Sequence, residues 1–119
     1  MQTIGKQINT EELGCRDIHA DTLMAQIRFN SAKYICWGAD RFQVDKLIKK
    51  WGTCKWLRFF VRGLKHTGWV YIDRNGADLY NVYYTSQRHR IKLVDADVYG
   101  DELCDRIDNT IEKQEYYNF

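Results

Sequence analysis

Hydrophobic and polar positions alternate most regularly between Trp56 and Arg62. Leu57, Phe59 and Val61 fall on one side of an extended chain there, and Trp56, Arg58, Phe60 and Arg62 on the other. The first set is an apolar core face. The second is aromatic and cationic throughout, which a merely solvated face does not require. Residues 63–68 read as a loop, and a return strand from Trp69 places Val70 opposite Val61, Ile72 opposite Phe59, Tyr71 opposite Phe60 and Asp73 opposite Arg58. Asn75-Gly76 then signals a hairpin, because both residues tolerate positive φ. A third strand follows over 79–85, its tyrosines left without a face because a bulge at Gly76 exchanges them. After a turn at 86–89, residues 90–94 read as a fourth strand with Ile91 and Leu93 on one side.

Elsewhere the period is helical. Asp21 caps a helix in which Leu23, Met24 and Ile27 share a face. Val44, Leu47, Ile48 and Trp51 recur at i, i+3, i+4 and i+7, so 40–52 reads as a helix, with Lys46, Lys49 and Lys50 in its last turn and Gly52 closing it. Leu103, Ile107 and Ile111 make a third apolar stripe, capped by Asp95 or Asp97 and carrying Asp101 and Glu102 in its early turns. Three stretches are shorter. Thr10 with Glu11 and Glu12 opens a short helix or turn, and Ile4 and Ile8 suit an edge strand or an arm. Residues 33–37 read as a short strand with Ile35 opposite Tyr34 and Cys36, and the tail over 114–119 frays or tucks its rings into a groove.

The expected architecture is α+β. An antiparallel sheet of about four to five strands has helices N-terminal to it and one acidic C-terminal helix, the helices mainly on one face. With 119 residues, no proline, no Gly/Ser-rich run and no internal repeat, 1–119 reads as a single domain.

Charge is segregated far more than the net +2 suggests. Residues 46–66 hold seven basic and no acidic side chains, and 95–119 hold eight acidic and two basic. The surface is bipolar unless these blocks fold together. No signal peptide and no membrane-length apolar run is visible, so a bacterial cytoplasm and no membrane partner are expected. Cys15, Cys36, Cys54 and Cys104 lie far apart without a C-x-x-C pair, which in that compartment reads as reduced, largely buried thiols.

The stretch FNSAKYICWGADRF (29–42) resembles a segment of small uncharacterised proteins encoded by bacterial phages and mobile elements, "N-x-F-I-x-M-T-G-A-K-x-F". ADLYNVYY (77–84) and DADVYGDELCDRID (95–108) are similar to the strand and helix that follow it there. The resemblance covers about two thirds of the chain. The basic insertion over 43–54 and the N-terminal extension depart from it. It implies an α+β fold and an origin in mobile DNA, and it transfers no activity.

The basic-aromatic face is the leading functional feature. Trp56, Arg58, Phe60, Arg62, Trp69 and Tyr71 form it, Lys49 and Lys50 adjoin it, and Arg90 and Lys92 join from the fourth strand. Such a face either meets an acidic protein surface or stacks bases and holds phosphates. In the competing reading a helix or a second subunit covers the rings while the cations snorkel outward. Asp95, Asp97 and Asp101 have spacing for a hard cation but equally for helix capping. Cys15 and His19 make at most half a zinc site. His66 and His89 read as solvated. The expected function is non-catalytic: a small binding protein with no cofactor, acting by surface complementarity on a macromolecular partner. Antagonism of a host nuclease or defence protein is the role that analogy of origin suggests. The alternative is a single-stranded nucleic-acid-binding protein, and further behind stands a small metal-dependent nuclease. Monomer and homodimer both fit.

Overall fold

The computed structural model describes residues 2–45 and 52–112. Its strands are β1 (Ile18–His19), β2 (Asp40–Val44), β3 (Thr53–Cys54), β4 (Trp56–Arg62), β5 (Thr67–Arg74), β6 (Tyr80–Thr85) and β7 (Ile91–Val98). Its helices are α1 (Ala20–Ile27), α2 (Ser31–Cys36) and α3 (Leu103–Ile111). Five strands form one antiparallel sheet in the order β2-β4-β5-β6-β7, and β1 pairs with β3 in a separate two-stranded ribbon. The α+β class expected from the alternation is the one found.

Period-two burial divides the sheet into two faces. Leu57, Phe59, Val61, Val70, Ile72, Val82 and Tyr84 pack with Leu23 and Ile27 of α1 and with Leu103, Ile107 and Ile111 of α3. Trp37 seals this layer, stacked against Phe59 at 6.5 Å, and its indole N–H donates to Asp108 of α3 at 3.0 Å. The opposite face has its own smaller cluster. Phe60, Trp69, Tyr71, Tyr83 and Ile91 are covered there by Ile8 and Leu13 of the N-terminal segment. That segment is an arm. Gly5 N–H donates to Ile91 O at 2.7 Å and Ile8 N–H to His89 O at 2.9 Å, and Arg16 N–H reaches Arg74 O at 3.1 Å. Between these anchors Gly14 N–H donates to the buried Asp73 carboxylate at 2.9 Å. Gly14 has φ +83, and a Cβ there would strike Lys55, so only glycine lets the arm lie this close.

Several local expectations are corrected. The β4–β5 register is shifted by two residues: Arg62 pairs with Thr67, Phe60 with Trp69, Phe59 with Val70 and Arg58 with Tyr71. Gly68, expected in a loop, lies inside β5, where a Cβ would collide with the Thr85 carbonyl. A slip of two preserves the faces, so each side chain still lies on its expected side. The Arg58–Asp73 pair is lost, and Trp56 stands opposite Asp73 instead. In the following turn Asp78, not Gly76, takes the left-handed conformation at φ 64. Asn75 organises that turn by accepting from the Ala77 and Leu79 amides at 2.9 and 3.2 Å.

Residues 31–36 are helical, not extended. Asn30 caps α2 by accepting from Lys33 N–H at 3.2 Å, and Tyr34 and Trp37 face inward at a spacing of three. Residues 40–44 are a strand, not the start of a helix. Phe42 stacks on Phe59 at 5.0 Å, so sheet pairing has overridden a helical apolar period. Leu47, Ile48 and Trp51, which carry the rest of that stripe, lie outside the described residues, as does the tail. Finally, β7 runs to Val98, so Asp95 and Asp97 are strand residues and not helix caps. Arg106 of α3 holds Asp95 in a fork at 2.7 and 3.0 Å, and Asn75 donates to Asp97 at 2.7 Å. The chain enters α3 through a 3-10 turn at Gly100–Glu102.

Candidate binding cleft

The register brings Trp56, Arg58, Phe60, Arg62, Trp69 and Tyr71 onto one face, as their sequence parity requires. Their rings are not open. Phe60 and Trp69 meet edge-to-face at 5.3 Å and are only 6% and 9% exposed. Among the described residues no α-helix lies over them. The cover is the chain's own arm together with the guanidinium groups.

Arg58 is the most enclosed of these cations. Its Cζ lies 4.8 Å from the Trp69 ring centroid and 5.6 Å from those of Trp56 and Tyr71. Its Nε donates to Gln43 at 2.6 Å and its Nη1 to the Tyr71 hydroxyl at 2.8 Å. With hydrogen bonds and rings already engaged, Arg58 organises the face rather than reaching out from it.

The outward cations are Arg62 and Arg41. The β2–β4 register jumps between Asp40 and Gln43, so Arg41 and Phe42 form a bulge. Arg41 adopts φ 57, a left-handed conformation that costs a non-glycine residue about 1–2 kcal/mol. The bulge lets Phe42 reach the helical core while Arg41 stays beside Arg62 on the basic face. Cζ of Arg41 and of Arg62 lie 4.9 and 5.0 Å from the Phe60 centroid. Asp40 takes one hydrogen bond from Arg62 at 3.2 Å. Arg41, Phe60, Arg62, Thr67, Trp69, Gln87 and His89 together line an open cleft of roughly 370 Å³.

His89 forms one wall. It has φ 66, stacks on Trp69 at 5.1 Å, and its Nδ1 lies 2.5 Å from the Tyr71 hydroxyl. Burial and the neighbouring Arg58 hold its pKa below the ordinary imidazole range. Burial raises the Tyr71 pKa, against the pull of Arg58. Tyr71 accepts from Arg58, and when His89 is the neutral Nε2–H tautomer the Tyr71 hydroxyl donates to its Nδ1.

The other expected site residues are placed differently. Arg90 donates to Gly5 O at 3.4 Å, clamping the arm. Lys92 does not join the rings. Its Nζ sits 3.5 Å from Nδ1 of His66, which packs edge-on against Tyr84 of the main core. His66 is therefore buried rather than solvated, and burial followed by the Lys92 charge lowers its pKa. Lys49 and Lys50 lie outside the described residues. Cys15 and Cys36 are exposed free thiols, whereas Cys54 and Cys104 are buried, so half of the expected thiol burial is found. No group of three His, Cys, Asp or Glu side chains among the described residues is arranged to hold a metal ion. No described helix is long and apolar enough to cross a membrane. Sequence reasoning misses Arg41, Thr67, Gln87 and His89 as partners of this site. Only His89, set between two arginines, carries a visible signal.

In comparison with known proteins, the chain matches no family model, no curated protein and no solved structure.

Proposed function

We propose that this chain is a non-catalytic binding protein that docks an acidic protein surface on the cleft between Arg41 and Arg62. The observation carrying this reading is the bulge. A strained left-handed backbone is kept at a non-glycine residue, and its effect is to set a second exposed guanidinium beside Arg62 over a buried aromatic floor. Arginines on aromatic anchors, ringed by polar groups, are the composition of interface hot spots.

The same geometry disfavours base stacking. A stacked base contributes about 1–3 kcal/mol and needs an accessible ring face. Phe60 and Trp69 offer little, because guanidinium groups and neighbouring rings already occupy them. A host nuclease or defence protein as the partner is the narrower form of this reading, and only the resemblance of 29–42, 77–84 and 95–108 supports it.

The experiment is affinity capture from bacterial lysate after exhaustive nuclease digestion, with wild type and the R41E/R62E variant in parallel. An acidic protein retained by wild type and lost with the charge-reversed variant supports the reading. Capture that disappears on nuclease treatment contradicts it and assigns the face to nucleic acid.

A further inference from the structure

The polar groups around the cleft share one property: each can donate a hydrogen bond. Arg41 and Arg62 are donors only, and Thr67 and Gln87 supply a hydroxyl and an amide. His89, as the neutral tautomer whose Nδ1 accepts from the Tyr71 hydroxyl, donates from Nε2. Among the described residues no carboxylate lines the cleft; Asp40 touches Arg62 from outside the lining. A recess in which every lining polar side chain can donate, with cations at its rim, suits an oxyanion.

Charge and shape narrow the class. Of the two guanidinium groups that line the cleft, Arg62 is paired with Asp40, while Arg58, behind Trp69, has its hydrogen bonds turned to Gln43 and Tyr71 and does not reach the cleft. Pairing one of the two lining cations in this way suits a monoanion better than a dianion. Phe60 and Trp69 reach the cleft only by the narrow edges that 6% and 9% exposure leaves, enough to pack a methylene stem but not a flat base, and these edges have nothing to offer a compact inorganic ion.

We propose that the cleft receives one carboxylate, the side chain of a glutamate or aspartate projecting from the partner surface. The inference rests on the acidic-partner reading and names its anchor. The stem lies on Phe60 and Trp69, the carboxylate meets Arg41 and Arg62, and Gln87, Thr67 and His89 Nε2–H complete the ring of donors.

The test is a titration of the ¹⁵N-labelled full chain with acetyl-capped hexaglutamate, followed by NMR at the arginine Nε–Hε signals. Hexaglutamine and inorganic phosphate at equal ionic strength are the comparison probes. Arg41→Gly suits the left-handed backbone, so it removes the donor while keeping the fold, which the backbone spectrum verifies. Saturable shifts at Arg41 and Arg62 are expected with hexaglutamate. Affinity should fall about tenfold or more in Arg41→Gly and in Arg62→Gln, and stay within about twofold in Arg88→Gln, whose charge lies on the same turn but does not line the cleft. An equal loss in Arg88→Gln, or phosphate binding tighter than the peptide at these signals, overturns the carboxylate assignment. Hexaglutamate shifts confined to other regions overturn it too, while the acidic-partner reading stands. No hexaglutamate binding anywhere on the chain overturns that reading itself.

Discussion

The indole N–H of Trp37 donates to Oδ1 of Asp108 at 3.0 Å, with both side chains buried, and so ties the loop before β2 to the C-terminal helix. Trp37 O also accepts from Arg62 N–H at 2.8 Å, which links the same residue to the edge of β4 that bears the cleft. Asp108→Ala leaves a buried indole donor unpaired and should cost about 1–3 kcal/mol. Urea melts of the variant measure this directly, and an unchanged midpoint with an unchanged slope would show that the pair contributes nothing.

Two glycines should behave oppositely. Gly68→Ala forces a Cβ into the Thr85 carbonyl across the β5–β6 pair, a clash between backbones that neither strand can relieve without breaking register. A loss of about 3 kcal/mol or more, or failure to fold, is expected. Gly76→Ala meets only Cys15 Sγ at 3.7 Å, and Gly76 is not among the glycines with positive φ. Its melting temperature should stay within a degree or two of wild type, as circular dichroism melts can establish.

Acidification should destabilise the fold through two imidazoles. His66 and His89 are both held below their ordinary pKa, chiefly by burial, with Lys92 and Arg58 adding to the effect. A depressed imidazole favours folding above the unfolded value of about 6.5, and that stability is lost as pH falls through the folded value. Asp73 works in the opposite direction. Burial holds its carboxyl above the usual range despite the Gly14 amide, so protonating it relieves a cost. Thermal melts from pH 7.5 to 4 should therefore show a melting temperature that falls as the imidazoles charge, and Asp73→Asn, by removing the opposing carboxyl, should make the fall toward the acid end steeper. A melting temperature that rises across this window in the Asp73→Asn variant contradicts the assignment.

The arginines of the face divide by role. Arg58→Met removes hydrogen bonds to Gln43 and Tyr71 and the cation among three rings, and should destabilise by about 1–3 kcal/mol. Arg41→Gly relieves a left-handed conformation and should leave stability unchanged or raise it by up to about 1 kcal/mol. Guanidinium chloride melts of the two variants discriminate: equal destabilisation would mean that Arg41 is as structural as Arg58.

Much of this architecture is legible in the order of residues alone. The parity of Leu57, Phe59 and Val61 against Trp56, Arg58, Phe60 and Arg62 survives because a two-residue register slip does not exchange faces. The stripe of Leu103, Ile107 and Ile111 is buried as its spacing requires. What stays hidden depends on contacts remote in sequence. The strand at Phe42 exists because Phe59 receives its ring, which no local period reports. Asp95 and Asp97 look like caps until Arg106 and Asn75 engage them in a strand. Likewise the cover over the aromatic face comes from Ile8 and Leu13, far from the rings in the chain. Arg41 does not read as a site residue, because the bulge that aims it arises from pairing with β4.

Site-specific photocrosslinking tests the central claim most directly. A benzophenone amino acid placed at Gln87, on the rim of the cleft, is compared with one at Ala25, exposed on α1 on the helical side of the sheet. The expected product is a crosslink from Gln87 to an acidic segment of a protein partner, abolished by R41E/R62E, with none from Ala25. Crosslinking from Ala25 but not Gln87, or from Gln87 undiminished by the charge reversal, would contradict the assignment of the cleft as the docking site.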